Sequence, residues 1–199
     1  MKLLLATSNA GKLVEIREIV AGLPFELVSL RDLRLPAPDE TGDTFHANAA
    51  QKATICARQS GLWTLADDSG LCVEALGGAP GVHSARYAST DEARRAKLLL
   101  ALRGVPEAQR AAHFFCAVAL SPPDGERVLR AEGRVDGSIA FEERGANGFG
   151  YDPLFLPVEA PGKTLAELPS REKNRLSHRG RALQRLRPVL ERLARDGTV

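Results

Sequence analysis

The 199-residue sequence lacks long apolar runs, and none approaches the roughly 18 residues that a helix needs to cross a bilayer. Its first residues resemble a secretion signal only superficially. Their apolar stretch is shorter than the roughly 7 residues of a minimal secretory core, and it leads into a polar turn that contains glycine. We therefore interpret residues 2–7 as a buried strand and expect a cytoplasmic protein that does not act at a membrane.

Cysteine is scarce, and several familiar catalytic motifs are missing. Cys56, Cys72 and Cys116 are odd in number and far apart, which excludes a disulfide framework and a cysteine zinc site and is typical of a reducing compartment. The sequence contains no zinc-binding His-Glu motif, no Gly-x-Ser-x-Gly elbow and no dinucleotide-binding glycine fingerprint. Because no activated serine or Cys–His pair is recognisable, metal-activated water is the simplest candidate nucleophile.

Charge is nearly balanced, at a net +2, but it is unevenly distributed. Residues 170–196 contain nine Arg or Lys residues against three Asp or Glu residues. A basic segment beside an acidic body suits a polyanion, either a nucleic acid or a triphosphate. A solvated helix face explains the same charges equally well.

Residues 1–199 are predicted to form a single α/β domain, because strand and helix patterns alternate early and a hairpin follows later. This order indicates a mixed sheet. Strands are predicted at residues 2–7, 25–30, 63–66 and 71–76, and as a hairpin at 113–120 and 127–135. Helices are predicted at 12–21, at 44–60, from 89 or 90 to 102, and over the C-terminal residues, where Pro188 should kink or split the last helix.

The first candidate site is the turn between the first strand and the first helix. Backbone N–H groups at a helix start, together with one ammonium group, form a natural phosphate site. The turn is not a P-loop, which has a glycine at the position of Ala6 and a Ser or Thr at that of Leu13. An ordinary turn with a solvent lysine is the alternative. The residues concerned are Thr7, Ser8, Asn9, Ala10, Gly11 and Lys12.

The second candidate is the pair Asp67-Asp68, at the predicted end of an apolar strand. Burying two adjacent carboxylates is costly unless a positive charge offsets their repulsion. Magnesium would do so, since it favours one or two carboxylates plus substrate phosphates. Glu40, in a proline-rich acidic loop, is a further candidate ligand. An acidic turn is the alternative, because Asp-Ser-Gly is common turn chemistry.

Two further candidates lie towards the C-terminus. In residues 148–153, two glycines flank Phe149, which suggests a backbone held close to a ligand and a ring that stacks on it. A buried aromatic corner is the alternative. Lys173, His178 and Arg179 offer donors for phosphate or for base carbonyls, and a basic helix start is the alternative.

Taken together, these segments resemble the inosine triphosphate pyrophosphatase family. Each motif is weak alone, but their order and spacing match over nearly the whole chain. The matching motifs are residues 7–12, Glu40-Thr41-Gly42, Thr44-Phe45 with Asn48-Ala49 and Lys52, residues 66–70, residues 77–81, Ser84-Ala85-Arg86-Tyr87, residues 148–153 and Ser177-His178-Arg179-Gly180.

The resemblance implies a fold and an activity. The fold would be an elongated mixed sheet flanked by helices, with two lobes, a central substrate cleft and a homodimeric assembly. The activity would be Mg²⁺-dependent hydrolysis of non-canonical purine nucleoside triphosphates (ITP, dITP, XTP) to the monophosphate and pyrophosphate, which cleanses the nucleotide pool.

The resemblance also implies roles for individual residues. Residues 7–12 would bind the triphosphate, Glu40 and Asp68 would hold magnesium, and Asp68 would also act as the base for water. Ser69 would lie near the sugar or phosphate, and Asp67 would be a supporting carboxylate. The base pocket would consist of Phe149, Gly150, Tyr151, Asp152, Lys173, His178 and Arg179.

One position departs from the family pattern. The family usually has Thr-Phe-x-Glu-Asn-Ala, and this chain has Ala47 at the glutamate position. A glutamate there would complete a capping box with Thr44, so we expect a slightly weaker helix start. If that glutamate also helps to hold the metal, coordination here depends more on Glu40 and Asp68.

Two other functions compete with this interpretation. A pyrophosphatase for modified pyrimidines, on the related fold of septum-inhibitor proteins, is disfavoured because Lys173, His178 and Arg179 suit a 6-keto purine. A nucleic-acid-binding protein would use the basic tail and would lose affinity steeply with salt. That function leaves the acidic residues unexplained, so we expect no nucleic-acid partner.

Overall fold

Six strands and five α-helices make up the computed structural model, which describes residues 1–199. None of the helices combines the length and the apolar character that crossing a membrane requires. The strands are β1 (Lys2–Leu5), β2 (Glu26–Ser29), β3 (Trp63–Val73), β4 (Ala111–Ser121), β5 (Leu129–Ile139) and β6 (Phe155–Pro157). The helices are α1 (Ala10–Ile19), α2 (Phe45–Ser60), α3 (Asp91–Ala101), α4 (Ser170–Leu176) and α5 (His178–Asp196).

The six strands form one mixed sheet in the order β2-β1-β3-β4-β5-β6. Strand β1 is parallel to both β2 and β3, whereas β6 is antiparallel to β5. The predicted α/β class with a mixed sheet is therefore confirmed.

The chain divides into two compact units, each built from separated segments. Unit 1 comprises Met1–Asp68, Cys116–Gly133 and Arg179–Val199, and unit 2 comprises Ser69–Phe115 and Arg134–His178. The single domain, the two lobes and the cleft expected from the sequence stay predictions.

Each unit has its own apolar core. In unit 1, alternate residues of β1 and β3, such as Leu5 and Leu65, pack with residues of α1 and α5, such as Ile16 and Leu186. In unit 2, the core is formed chiefly by residues of β3, α3, β4 and β5 and by the segment around β6. The period-two alternation of β3 decides which of its side chains reach the helices of unit 1.

Polar caps define the helix starts that the sequence indicated. The Lys12 N–H donates to Asn9 Oδ1 (3.1 Å), so α1 begins two residues earlier than predicted. Thr44 and Thr90 cap α2 and α3 in the same way. Helix α2 ends at Gly61, whose φ of 66° is left-handed.

One local prediction is wrong. Strand β3 runs unbroken from Trp63 to Val73, so Asp67-Asp68-Ser69-Gly70 is not a turn. Its acidic pair is tolerated in a buried strand because nearby cations and an amide neutralise or bind both carboxylates. Of the kink or split predicted at Pro188, the split does not occur, because α5 continues through this residue. Pro188 has no N–H to donate to the Gln184 carbonyl. Gln184 is exposed, so water can bind this carbonyl instead.

The β5–β6 pair should depend on the absence of a side chain at Gly137. A Cβ there would lie 2.2 Å from the Leu156 carbonyl oxygen, so Gly137→Ala must displace backbone. We expect the free energy of unfolding in urea to fall by about 1–3 kcal/mol. Ser138→Ala is the control, because Ser138 pairs with Leu156 in register and already carries a Cβ. Equal stability of the two variants would contradict this account.

Candidate active site

Strand β3 carries two successive buried carboxylates, Asp67 and Asp68. Because successive side chains of a strand point to opposite faces, the two groups meet different partners. Asp67 binds side chains of α1 and α5, whereas Asp68 binds a side chain of α2. The fold thus separates two carboxylates that are adjacent in sequence.

Asp67 is the centre of a buried ion-pair cluster in unit 1. Its Oδ2 lies 3.2 Å from Lys12 Nζ and 3.0 Å from Arg179 Nη2. Arg179 also pairs with Glu15, which follows Lys12 by about one helical turn on α1. The two cations and two carboxylates of this cluster have formal charges that cancel.

The cluster changes the acidity of its members. Burial by itself raises the pKa of Asp67, but the charges of Lys12 and Arg179 outweigh burial and hold that pKa well below its usual range. Burial lowers the pKa of Arg179, yet Asp67 and Glu15 raise it above the ordinary value. Burial raises the pKa of the neighbouring Cys116 thiol to about 12. Asp67 and Arg179 are therefore both charged, and Cys116 is a protonated thiol.

Asp68 has a different environment. Its Oδ2 accepts a hydrogen bond from Asn48 Nδ2 (2.9 Å), and Asn48 is completely buried. Burial raises the pKa of Asp68, and repulsion from Glu40 adds to this, while Lys52, Lys12 and the Asn48 hydrogen bond offset it only in part. The two neighbouring carboxyl groups consequently have pKa values shifted in opposite directions.

The groups around Asp68 have the chemistry of a magnesium site that is completed by substrate. Asp68 and Glu40 offer hard oxygen ligands. Lys52 pairs with Glu40, and its charge also acts on Asp68. No group of three or more His, Cys, Asp or Glu side chains is placed to hold a metal alone. Mg²⁺ is commonly held by one or two carboxylates plus phosphates, so this donor set fits it.

The turn before α1 presents helix-start N–H groups beside the Lys12 ammonium. The Asn9 N–H donates to Thr7 Oγ1 (3.2 Å), and Asn9 in turn caps the helix. Lys12 is buried and pairs with Asp67, but an ammonium has three donors and can also contact an anion. The turn therefore has the chemistry of a phosphate site. Its remaining residues are Ser8, Ala10 and Gly11.

Unit 2 holds a second buried ion pair, between Asp152 and Lys173. Asp152 Oδ2 also accepts the Phe149 N–H (2.8 Å), and Lys173 Nζ lies 5.0 Å from the centre of the Phe149 ring. Gly148 makes this packing possible, because its φ is 76° and a Cβ would lie 2.1 Å from Asp152 Oδ2. An aromatic face and an ammonium group are thereby kept together.

Two further side chains of unit 2 are fixed by aromatic or hydroxyl contacts. The His178 ring stacks on Phe114, with centroids 4.7 Å apart and planes 7° from parallel. The Tyr151 hydroxyl donates to the Ser84 carbonyl (2.9 Å), and burial raises the pKa of Tyr151. Both rings are buried and held in one orientation.

A family model described as the Ham1 family matches residues 3–189, a range that contains every residue of both ion-pair clusters. The chain belongs to the Ham1 family. The family resemblance seen in the sequence is confirmed.

Relatives of this Ham1 chain are similar over nearly their whole length. A dITP/XTP pyrophosphatase of Geobacter sulfurreducens is 51% identical over 95% of this chain and 96% of its own. One from Anaeromyxobacter sp. (strain Fw109-5) is 44% identical over 99% of this chain and 100% of its own. The solved structure of a HAM1 protein from Coxiella burnetii has a TM-score of 0.85, at 44% identity over 96% of this chain and 98% of that one.

The predicted site residues of this Ham1 chain fall into two groups, one in each unit. In unit 1, ion pairs, electrostatic coupling and the turn before α1 bring together residues 7–12, Glu40, Asp67, Asp68 and Arg179. In unit 2, direct contacts join Phe149, Asp152 and Lys173, while His178 stacks on Phe114. Ser69 follows Asp68 on β3 and is half-buried. The roles of all these residues in binding and catalysis stay predictions.

Arg179 has a different environment from the base pocket that the sequence suggested for it. It is 1% exposed, and all three of its donor nitrogens reach Asp67 or Glu15. These contacts favour a role in neutralising Asp67 over direct reading of a base.

Three residues of the unit 1 site were not assigned from sequence: Glu15, Asn48 and Lys52. Glu15 lies three residues after Lys12, a spacing that places both on one helix face. Asn48 and Lys52 are four residues apart within the small-residue stripe of α2, and both are buried. Their sequence signal was two polar residues at helical spacing on an otherwise apolar helix face, a pattern that indicates buried polar contacts.

Removal of the Asp67 charge should destabilise unit 1. Asp67→Asn leaves one buried positive charge of the cluster uncompensated, because Glu15 can neutralise only one of Lys12 and Arg179. We therefore expect the free energy of unfolding to fall by about 3–5 kcal/mol. The control is Glu26→Gln, which breaks the exposed Lys2–Glu26 pair (3.5 Å) and should cost less than about 1 kcal/mol. Urea unfolding at neutral pH measures both. A loss in Asp67→Asn no larger than in the control would show that the cluster does not stabilise the fold.

Proposed function

We propose that the chain hydrolyses non-canonical purine nucleoside triphosphates (ITP, dITP and XTP) to the nucleoside monophosphate and pyrophosphate, and that it uses Mg²⁺. Membership of the Ham1 family and close relatives named dITP/XTP pyrophosphatase support the reaction and the substrate class. Removal of such nucleotides would cleanse the nucleotide pool.

The observation that carries the proposal is the pair of adjacent buried carboxylates on β3, which bind different partners: Asp67 pairs with Lys12 and Arg179, and Asp68 accepts a hydrogen bond from Asn48. Lys12 and Arg179 hold the pKa of Asp67 well below its usual range, whereas burial raises the pKa of Asp68, and Lys52, Lys12 and Asn48 offset this only in part. Neighbouring carboxyl groups whose pKa values are pushed apart are typical of sites where one group has a structural role and the other a chemical one.

We assign a separate role to each of these groups according to its environment. Residues 7–12 bind the triphosphate through helix-start N–H groups and the Lys12 ammonium. Asp68 orients the attacking water and accepts its proton, because a raised pKa makes a carboxylate a better base. Asp67 and Arg179 hold Lys12 in place. The bond cut is the one that joins the α-phosphate to the pyrophosphate leaving group, and water adds to the α-phosphorus.

We assign the metal to Asp68 and Glu40. When bound there with substrate, Mg²⁺ would neutralise phosphate charge and lower the pKa of coordinated water. The side chain of Ala47 supplies no ligand, and its N–H already donates to Thr44 Oγ1 (3.1 Å). Lys52 pairs with Glu40, and its positive charge offsets part of the repulsion between Glu40 and Asp68.

We assign recognition of the base to unit 2. The Phe149 ring is half-buried beside Lys173 and offers a face for stacking on any purine. Lys173 and His178 supply donors that suit the 6-keto oxygen of inosine or xanthosine, where adenine has an amino group. Gly150, Tyr151 and Asp152 hold the backbone of this segment, and Ser69 contacts the sugar or phosphate.

We further propose a cytoplasmic homodimer that binds neither nucleic acid nor membranes. Several arginines of the basic tail are engaged within the chain, as in the Arg187–Glu191 and Arg195–Asp196 pairs. Arg185 donates to the Glu132 carbonyl (2.9 Å). Light scattering coupled to size exclusion tests the homodimer: a mass of one chain at all concentrations would contradict it.

A panel of triphosphates tests the reaction. With Mg²⁺ present, dITP, ITP and XTP should yield pyrophosphate and monophosphate, and ATP and GTP should react far more slowly. The 6-amino group of ATP mismatches donors that suit a 6-keto oxygen, and such a mismatch can lower kcat/KM by roughly 10⁴-fold. GTP shares the 6-keto group, so its slower reaction must depend on its 2-amino group. Chelation of the metal should abolish turnover. Modified pyrimidine triphosphates serve as the negative control, and orthophosphate as first product would overturn the proposal.

Asp68→Asn should remove turnover without unfolding the chain. The amide keeps the size and the possibility of a bond to Asn48 but cannot accept a proton, so we expect kcat to fall by more than about 100-fold. Asp136→Asn, an exposed carboxylate of unit 2, is the matched control and should retain full activity. Retention of a tenth of normal turnover in Asp68→Asn, with unchanged unfolding in urea, would exclude Asp68 as the base.

A further inference from the structure

In unit 2, side chains of helix α3 bind both the backbone N–H and the backbone carbonyl of Gly150. The Gly150 N–H donates to Asp91 Oδ2 (2.9 Å), and Arg95 Nη1 donates to the Gly150 carbonyl (3.0 Å). Asp91 and Arg95 are four residues apart, so they lie on the same face of the helix. We call these two residues the α3 clamp.

Further ion pairs orient both members of the α3 clamp. Arg94 Nη1 lies 2.6 Å from Asp91 Oδ1, which leaves Oδ2 directed at Gly150. Arg95 pairs with Glu143 at 2.9 Å, and its side chain is only 11% exposed. A side chain that is fixed before the ligand arrives loses little entropy when the ligand binds.

Gly150 lies between Phe149 and Tyr151, so contacts that fix its backbone can also fix the orientation of these two aromatic residues. Its φ of 62° is left-handed, so the chain turns sharply there between Phe149 and Tyr151. Phe149 is bound through its N–H to Asp152, and Tyr151 through its hydroxyl to Ser84. Three successive residues are thus anchored, and the anchor of the middle one comes from α3.

We propose that Asp91 and Arg95 are positioning residues, which hold the Phe149 ring in the orientation that stacks on the purine base. This inference rests on the proposed function, since that function assigns the base to Phe149. The α3 clamp touches neither the phosphate turn nor Asp68, so it acts on base binding and leaves the chemical step unchanged. Its loss therefore raises KM and leaves kcat nearly the same.

The test compares two acidic residues of the first turn of α3. Asp91→Ala removes the acceptor of the Gly150 N–H, and we expect KM for ITP to rise about tenfold with kcat within about twofold. Glu92→Ala removes the same charge from the same helix turn, and Glu92 makes no bond to Gly150. Its side chain is 78% exposed and pairs with Arg95 at 3.8 Å, a contact worth little in water, and Arg95 keeps its closer pair with Glu143. This control should match the wild type. Asp91→Asn, which keeps an acceptor oxygen, should recover most of the loss.

A double-mutant cycle separates positioning from general destabilisation. If the α3 clamp acts through the Phe149 ring, Asp91→Ala should have almost no further effect on KM in a Phe149→Ala background. Additive effects of the two substitutions would overturn the inference. So would an equal rise of KM in Glu92→Ala.

Binding of the product distinguishes this inference from the proposed function. Inosine monophosphate is titrated into the wild type and Asp91→Ala without metal, by calorimetry. A roughly tenfold weaker Kd in the variant supports the α3 clamp even if the wild type cleaves no triphosphate, a result that would refute the proposed function alone. Equal Kd values, with ITP cleavage intact in the wild type, would refute the α3 clamp alone.

Discussion

The ion pairs of Asp67 with Lys12 and Arg179 are the interaction on which the unit 1 site depends. A carboxylate that is fully buried costs several kcal/mol unless cations replace its water. Here one cation comes from the start of α1 and the other from the start of α5, so the charge of one strand residue ties two helices to the sheet. The same contacts fix the Lys12 ammonium beside a turn suited to phosphate.

Two cations neutralise Asp67 and lower its pKa, whereas burial raises the pKa of Asp68. Because strand geometry sends the two side chains to opposite faces, Asp68 bonds to Asn48 while Asp67 bonds to Arg179, although the charges of Lys12 and Lys52 act on both carboxylates. Unit 2 also contains a buried carboxylate that pairs with a lysine. There Asp152 neutralises Lys173, and the Phe149 N–H shares the same carboxylate oxygen. Each unit thus builds its polar site around a buried carboxylate.

Much of the fold could be predicted from the sequence, and so could several residues of the two buried ion-pair clusters, among them Lys12, Asp67, Asp152 and Lys173. Thr44, Gly61 and Thr90 marked helix ends because capping is a local interaction. The ordered motifs predicted the Ham1-type family and the mixed sheet. The course of β3 could not be predicted, since Asp-Asp-Ser-Gly favours a turn by its local propensity. Only partners distant in sequence, such as Lys12 and Arg179, make a strand stable there.

By itself, the sequence determined which residue types are available and where the elements begin, because capping, periodicity and spacing act over a few residues. Tertiary structure alone decided their pairing. Arg179 looked like a base contact, but long-range packing places its guanidinium on Asp67 and Glu15. The contacts of the α3 clamp with Gly150 gave no local signal either. Burial and charge compensation are properties of neighbours in space, and a linear sequence does not specify which side chain will neutralise which.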